Sequence, residues 1–359
     1  MAFMRNFDYE RLASLTWPTD LLNLVAKIHE CKGRLDMFVC QKPIQLDRLV
    51  EIAKIQSSES SNRIEGIVTT GMRMKQLIAE KSLPRNRNEG EIVGYRDVLN
   101  TIHENHAYIP IRTSYILQLH RDLMRPAGLS YGGSFKNVQN YINEIRPDGR
   151  CITRFTPIAP HETSAAVDAL CTAYEQAIAK ETIDALLLIP CFIIDFLCIH
   201  PFNDGNGRMS RLLTLLLLYK SGYCVGKYVS IERQIEKTKD VYYDVLQASD
   251  IGWHEEMNDS MPFIRYMLSV ILACYTKFEE RVDLTSRACA SSTAYDIVKK
   301  YVEAKIGEFT SAEVLANCPT IGRSSALSAL KKLAEEGIIV RQGTGKKVFY
   351  IKSDGCNES

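Results

Sequence analysis

The segment from His200 to Arg211, HPFNDGNGRMSR, groups residue types that suit phosphate chemistry. His200 can accept a proton near neutral pH, and Asp204 offers the hard oxygen ligand that Mg²⁺ prefers. Gly205 and Gly207 lack a Cβ and let a ligand approach the backbone closely. The segment therefore predicts a site that combines a base, a metal ligand and an accessible backbone.

The second half of the segment opens an apolar helix. Asn206, Gly207 and Arg208 lie at its start, so backbone N–H groups and the positive end of the helix dipole point into the loop. Arg208 and Arg211 are three residues apart on one helix face, where each guanidinium can bind phosphate oxygens. Each residue alone has a structural explanation, but together they predict phosphoryl or nucleotidyl transfer.

A second segment, SSESSNRIEGI, lies at residues 57–67 near the end of a predicted helix. Ser61 and Glu65 are four residues apart and share a helix face, and Gly66 suits the left-handed position that ends a helix. Glu65 faces the negative end of the helix dipole. The Glu65 carboxylate is therefore either solvated at the end of the helix or paired with a cation.

The first segment resembles the signature H-P-F-x-[DE]-G-N-G-R-x-x-R of the Fic proteins, with all nine fixed positions matched. Fic proteins are helical enzymes that typically transfer AMP from ATP to a hydroxyl side chain of a target protein. The resemblance implies the following roles: His200 as base, Asp204 as Mg²⁺ ligand, Asn206 and the loop amides of Gly205 and Gly207 on the α-phosphate, and Arg208 and Arg211 on the outer phosphates.

The second segment resembles the family's inhibitory motif [ST]-x-x-x-E-[GN], through Ser61, Glu65 and Gly66. Its position before the catalytic motif corresponds to the arrangement called class II. In that class the glutamate pairs with the second arginine of the signature, here Arg211, and prevents ATP from binding productively.

Two further segments resemble parts of the family site. The run at 130–142 resembles the flap, a hairpin that aligns the target by strand addition, with Lys136 where many members carry Arg. Tyr242 and Tyr243 match a tyrosine pair that lines the adenine pocket, although two tyrosines on a helix surface are an equally good interpretation. Asp250 stands where relatives often place Asn.

The elements around these motifs read as helices, because apolar residues recur at helical spacing over most of the chain. Asp184 can cap an apolar helix that approaches His200, with a kink or break expected at Pro190. A Gly-, Asn- and Pro-rich region at 127–160 predicts a loop or hairpin with a strand-like run at 138–142. The other predicted helices lie at 21–66 (divided at Pro43), 72–79, 91–106, 113–124, 163–179, 209–219, 241–248 and 262–281.

The C-terminal part predicts a different fold. Helices are predicted at about 292–307, from Thr310, which can cap its helix with Glu313 completing a capping box, and at about 322–337. Two strands follow, which is the order of a winged helix-turn-helix. Ten Lys or Arg against six Asp or Glu between residues 292 and 352 leave a local charge of +4. In such a domain Arg323, Ser324 and Ser325 would enter a DNA major groove, and Lys346 and Lys347 would contact DNA phosphates. The alternative is that this domain serves dimerisation or docking.

The whole chain has 359 residues, a formal charge of +1 and 11 cysteines without a C-x-x-C pair. The scattered cysteines favour a reducing compartment, and the charged N-terminus makes secretion unlikely. The most apolar segment, 185–194, is too short to span a bilayer, so a cytoplasmic protein is expected. The predicted fold is all-α: an N-terminal helical region at 1–110, a Fic-type bundle with a hairpin flap at 111–285, and a winged helix at 288–359.

The leading functional prediction is Mg²⁺-dependent transfer of AMP from ATP to a Ser, Thr or Tyr hydroxyl of a target protein or of the chain itself. Relatives often form dimers, so a homodimer is expected. Two alternatives remain open: a DNA-binding regulator with a nucleotide-sensing Fic body, and an enzyme that removes AMP, with Glu65 orienting a water.

Overall fold

The computed structural model describes residues 5–41, 43–79, 82–145, 149–290, 294–305, 307–318, 321–343 and 348–353. The chain divides into two compact units, Met1–Glu279 and Glu280–Ser359. The three predicted domains stay a prediction.

The first unit is largely helical, as the apolar periodicity predicts. The predicted division at Pro43 separates two long helices, and a short helix at Ile231–Lys237 escaped prediction because seven residues carry too little periodicity. The helices are α1 (Thr19–Gln41), α2 (Pro43–Ile64), α3 (Gly71–Ile78), α4 (Arg87–Asn105), α5 (Thr113–Met124), α6 (Pro160–Lys180), α7 (Ala185–Ile199), α8 (Asn206–Lys220), α9 (Ile231–Lys237), α10 (Lys239–Asp250) and α11 (Met261–Ala290).

Helices α7 and α8 form the centre of this unit and carry the candidate site on the loop between them. The side chain of Asp184 accepts a hydrogen bond from the Leu186 N–H at 2.8 Å, which is the predicted N-cap of α7. α7 is continuous through Pro190, so the predicted break is wrong, whereas the predicted kink stays a prediction. Almost all residues of α7 are buried, and their packing holds both halves in place.

The backbone reverses sharply at each end of that loop. His200 ends α7 in the left-handed region, with φ 51° and ψ 62°, and Gly205 precedes α8 with φ 83°. The left-handed region is unfavourable for a residue with a Cβ, so the conformation of His200 is one that the surrounding structure must enforce. Both ends of the loop are thereby fixed relative to the helices.

A two-stranded antiparallel hairpin, β1 (Ile142–Ile145) and β2 (Cys151–Phe155), follows α5. The predicted hairpin region is correct, but the strand-like run at 138–142 is misplaced. Residues 138–141 are not strand, because Asn140 donates hydrogen bonds to the loop at the site instead of facing a ladder. β2 contributes a side chain to the site.

A buried carboxylate ties the N-terminal segment to α7. Asp195 accepts hydrogen bonds from the Tyr9 hydroxyl and the Trp253 Nε1–H, both at 2.7 Å, and lies 3.4 Å from Nε of Arg5. All these groups are buried. Burial raises the pKa of Asp195, and Arg5 acts in the opposite direction. The network holds the middle of α7 five residues before His200.

The second unit contains α12 (Ala294–Ala304), α13 (Ser311–Asn317), α14 (Arg323–Glu335) and the antiparallel strands β3 (Ile339–Gln342) and β4 (Phe349–Lys352). The predicted cap is present, since the Thr310 hydroxyl accepts from the Glu313 N–H at 3.2 Å. Phe309, Leu330 and Tyr350 belong to its core. Lys346 and Lys347 lie outside the described residues.

Within the described ranges, none of the helices combines the length and the apolar character needed to cross a bilayer.

We predict that Asp195→Ala lowers the free energy of unfolding of the first unit by about 3–5 kcal/mol, because it leaves Arg5 buried without a counter-charge. Tyr9→Phe removes a single hydrogen bond and should cost only about 1 kcal/mol. Urea unfolding followed by tryptophan fluorescence tests this, since both tryptophans, Trp17 and Trp253, lie in this unit. Equal losses for the two variants would contradict a charged role for Asp195.

Candidate functional site

One cavity of about 270 Å³ in the first unit brings the predicted site residues together. It lies over the loop between α7 and α8, with walls from α7, α8, α10 and the hairpin. Its lining includes Glu65, His200, Asp204, Gly205, Asn206, Gly207, Arg208, Arg211, Tyr242, Tyr243 and Asp250. Residues from two segments more than a hundred positions apart in sequence therefore share one pocket.

His200 faces this cavity as a neutral imidazole. Its Nδ1 lies 3.2 Å from the carbonyl oxygen of Leu197, which can only accept, so Nδ1 carries the proton. Burial lowers the pKa of His200 to about 4, and nearby Lys136 acts in the same direction. At neutral pH the Nε2 lone pair is consequently present, as a general base requires.

Lys136 and Asn140 donate hydrogen bonds to the end of α7 and to the loop that follows it. The buried ammonium of Lys136 donates to the carbonyl of Ile199 at 2.9 Å, at the negative end of α7, and to Oδ1 of Asn140 at 3.0 Å. The amide of Asn140 donates to the carbonyls of His200 and Phe202, both at 3.1 Å. Lys136 thus contacts the loop backbone, and burial lowers its pKa to about 8.

Asn206 uses its side chain to close the loop on itself. Its Oδ1 accepts from the Phe202 N–H at 2.9 Å, and its Nδ2 donates to the Phe202 carbonyl at 2.7 Å. The amide is therefore engaged within the loop. At this end of α8 the backbone N–H groups of the first turn, which have no intrahelical acceptor, remain the anion-binding donors.

Asp204 has donors on both carboxylate oxygens. Oδ1 accepts from the Gly205 N–H at 2.6 Å and lies 3.5 Å from Nη2 of Arg208. Oδ2 lies 3.0 Å from Nη2 of Arg87 and 3.3 Å from the Tyr131 hydroxyl. The side chain is 39% exposed. Among the described residues, no three His, Cys, Asp or Glu side chains are grouped so that they could hold a metal ion. The Asp204 carboxylate is a hard oxygen ligand of the kind that Mg²⁺ accepts together with phosphate and water oxygens.

Arg208 is buried and paired with an acid that the sequence analysis missed. Its Nη1 lies 2.6 Å from Oε2 of Glu91 on α4, and the two side chains are 2% and 4% exposed. Nothing in the sequence singled out Glu91, because a glutamate at a helix start is ordinarily solvated. The only available signal was the need of a buried arginine for a counter-charge.

Arg211 is held by the end of α2. Its Nη2 lies 2.7 Å from Oε1 of Glu65, and its Nε donates to the Ser61 hydroxyl at 2.8 Å. Burial is the largest single influence and acts to lower the pKa of Arg211, but the charge and hydrogen bond of Glu65, together with Tyr242 and Tyr95, outweigh it and the pKa is raised. A Cβ on Gly207 would lie 2.3 Å from Oε1 of Glu65, so the carboxylate sits directly against the first turn of α8.

The C-terminal half of α2 docks on α9 through hydroxyl and carboxylate groups. The Ser57 hydroxyl donates to buried Glu232 at 2.7 Å, and the Ser60 hydroxyl donates to Glu236 at 2.6 Å. Lys239 donates to the Ile64 carbonyl at 2.7 Å, at the negative end of α2. These contacts place Glu65, one residue beyond α2, at the cavity.

The opposite wall combines aromatic and charged groups. Tyr242 is buried, whereas Tyr243 is 43% exposed, and their rings meet edge to face at 5.4 Å. Asp250 accepts from Nη1 of Arg154, on β2, at 2.6 Å. Burial raises the pKa of Asp250, and Arg154 partly offsets this. Arg154 was missed because the sequence pattern predicted no strand at 151–155.

His120 is a further residue that sequence reasoning missed. Its Nδ1 accepts from the Gly133 N–H at 3.1 Å, so Nε2 carries the proton and donates to the Asp204 carbonyl at 3.1 Å. The ring stacks on Phe202 with centroids 3.6 Å apart. Burial lowers the pKa of His120 to about 4, which keeps this tautomer neutral. A lone histidine inside a helix carries no sequence signal for this role.

Part of the chain is similar to proteins of a known family. Residues 110–218 match the model of the Fic/DOC family. The chain is 27% identical over 218 residues to protein adenylyltransferase fic-1 of Caenorhabditis briggsae, covering 58% of this chain and 36% of the relative. It is 27% identical over 271 residues to protein adenylyltransferase Fic of Drosophila erecta, covering 74% and 47%. The chain thus spans less than half the length of these curated relatives.

Solved structures show the same fold. A Fic family protein from Desulfovibrio desulfuricans superposes with a TM-score of 0.62 at 20% identity, covering 96% of this chain and 99% of that one. Residues 134–508 of Fic-1 from Caenorhabditis elegans give a TM-score of 0.60 at 20% identity, covering 74% and 73%. Residues 110–218, which include the loop and its flanking helices, thus resemble the Fic/DOC family, and the solved structures show that the chain shares the fold of these Fic proteins.

Proposed function

We propose that this protein transfers AMP from ATP to a Ser, Thr or Tyr hydroxyl of a protein. The observation that carries the proposal is the placement of a neutral histidine and a helix N-terminus in one cavity. His200 can take the proton of an attacking hydroxyl, while the first turn of α8 can hold the phosphate that is attacked. Relatives named protein adenylyltransferases support the same reaction.

The contacts support a separate role in nucleotide binding for each group that lines the cavity. Backbone N–H groups at Gly207 and its neighbours face the reacting phosphate, and Arg211 is the guanidinium placed for the outer phosphates once it is released from Glu65. Asp204 would hold Mg²⁺, which supplies charge neutralisation to the phosphates when bound. Tyr242 and Tyr243 supply an aromatic wall suited to a nucleobase.

Glu65 is proposed to hold the site in an inhibited state. Its carboxylate pairs with Arg211 and lies against Gly207, so it takes up the positive charge and the space that phosphates would use. An AMP-removing activity in which Glu65 orients a water rests on the same position. The target protein, self-modification, a homodimer and a cytoplasmic location stay predictions.

We predict that incubation with α-labelled ATP and Mg²⁺ labels protein, whereas γ-labelled ATP does not. His200→Ala should slow this transfer by about 10²- to 10⁴-fold, because the proton acceptor is lost. His161→Ala, an exposed histidine on α6, serves as the control and should transfer AMP at the wild-type rate. Label from the γ-position, or a fully active His200→Ala protein, would contradict the proposed reaction.

We predict that Glu65→Gly raises the rate of AMP transfer about tenfold or more, since inhibitory couplings of about 1–3 kcal/mol correspond to about 5- to 150-fold. Adding Arg211→Ala should remove most of the gain. Glu181→Gly, which changes a glutamate at the end of α6 away from the cavity, is the matched control and should leave the rate unchanged. Initial rates of self-labelling provide the measurement, and a Glu65→Gly protein no faster than wild type would disprove the inhibitory role.

For the second unit we propose a winged-helix domain that binds duplex DNA. The order of three helices and a hairpin supports the fold, and the exposed Arg323, Ser324 and Ser325 at the start of α14 support the partner. A regulator in which the first unit senses nucleotide would use both units. Docking or dimerisation through this unit is the alternative.

We predict that affinity for duplex DNA falls steeply as salt rises, and that Arg323→Ala reduces the slope of log affinity against log salt by about 1. Fluorescence anisotropy of a labelled duplex at several KCl concentrations measures both quantities. Lys180→Ala, an equal charge change in the first unit, should leave the slope unchanged. Salt-insensitive behaviour, with dimers lost on removal of residues from 292 onward, would support the docking alternative.

A further inference from the structure

Four charged side chains form a closed ring beside the catalytic loop. Arg87 lies 2.7 Å from Glu91, Glu91 lies 2.6 Å from Arg208, Arg208 lies 3.5 Å from Asp204, and Asp204 lies 3.0 Å from Arg87. The two arginines and two carboxylates alternate, so the ring is neutral. α4 supplies one residue of each charge.

The members differ in exposure. Glu91 and Arg208 are 4% and 2% exposed and form the fixed inner side. Asp204 and Arg87 are 39% and 56% exposed and form the outer side, where solutes can reach them. If the ring rearranges, the contact that changes is therefore the one between Asp204 and Arg87.

The ring determines how available Asp204 is to a cation. Both guanidiniums that reach Asp204 are also paired with Glu91, so Glu91 takes up part of their charge and draws them toward α4. A divalent cation approaching Asp204 is repelled by Arg87. If the charge of Glu91 were absent, both arginines would have Asp204 as their remaining partner within the ring.

We propose that Glu91 is a positioning residue: by holding Arg87 and Arg208, it keeps the Asp204 carboxylate available to the divalent cation that accompanies the nucleotide. This rests on the proposed function for the identity of the ligand. Glu91 acts through the two arginines and does not line the cavity.

The central variant is Glu91→Gln, which keeps the size and the acceptor oxygen of the side chain but removes its charge. We expect it to weaken divalent-cation binding about tenfold, within the range found when residues that orient a metal ligand are changed. Adding Arg87→Ala should restore most of the lost affinity, because the competing cation is then gone. A residue that only stabilises the fold would not be rescued by a second deletion.

Cation affinity is measured directly, without turnover. The probe is Mn²⁺ together with an ATP analogue whose α–β bridging oxygen is replaced by carbon, and free Mn²⁺ is followed by electron paramagnetic resonance. All proteins are the full chain carrying Glu65→Gly, so that Glu65 does not compete with the phosphates. Because AMP transfer is not measured, the result is independent of whether the transferase proposal succeeds.

Circular dichroism shows whether Glu91→Gln folds. If it does not, the single variant Arg87→Ala still tests the proposal. It should bind Mn²⁺ more tightly than its parent, whereas Arg112→Ala, an exposed arginine paired with Glu175, should not change the affinity. Unchanged or weaker Mn²⁺ binding by Arg87→Ala would overturn the proposal. So would a folded Glu91→Gln protein that binds Mn²⁺ like its parent, or one that Arg87→Ala does not rescue.

Discussion

The burial of two guanidiniums at the start of α8 is the constraint on which the rest of the site depends. Arg208 and Arg211 are 2% and 3% exposed, and a buried cation without a counter-charge costs several kcal/mol. Each therefore requires a carboxylate: α4 supplies Glu91, and the residue that follows α2 is Glu65. Charge neutralisation thus fixes where two sequence-distant segments pack against the loop between α7 and α8.

Hydrogen bonds within the loop engage its polar side chains and leave the backbone N–H groups at the start of α8 as the candidate anion donors. Asn206, an obvious candidate ligand, uses its amide to join the two ends of the loop through Phe202. His120 and Lys136 hold the same loop from other elements, through the carbonyls of Asp204 and Ile199. A rigid loop of this kind presents N–H groups in a fixed direction, which is what preorganised anion binding requires.

The sequence predicted what depends on local pattern and missed what depends on packing. The helices, the Asp184 and Thr310 caps and the loop at 200–211 follow from periodicity, capping chemistry and spacing. The one strand-like run was predicted at 138–142, four residues before the start of β1, since strand propensity there competes with a tertiary contact made by Asn140. The roles of Glu91 and Arg154 could not be predicted, because an ion pair between residues distant in sequence produces no periodic pattern in that sequence.

The docking of α2 on α9 has a thermodynamic consequence. The hydrogen bonds there join serine hydroxyls to Glu232 and Glu236, so separating the two helices would hydrate buried polar atoms as well as apolar ones such as Ile64 and Ile235. Exposure of polar surface lowers the heat capacity, whereas exposure of apolar surface raises it. The polar contacts would therefore reduce the heat-capacity change that accompanies release of this half of α2. The enthalpy of that release would vary less with temperature than the enthalpy of exposing an equal area of the apolar core around α7 and α8.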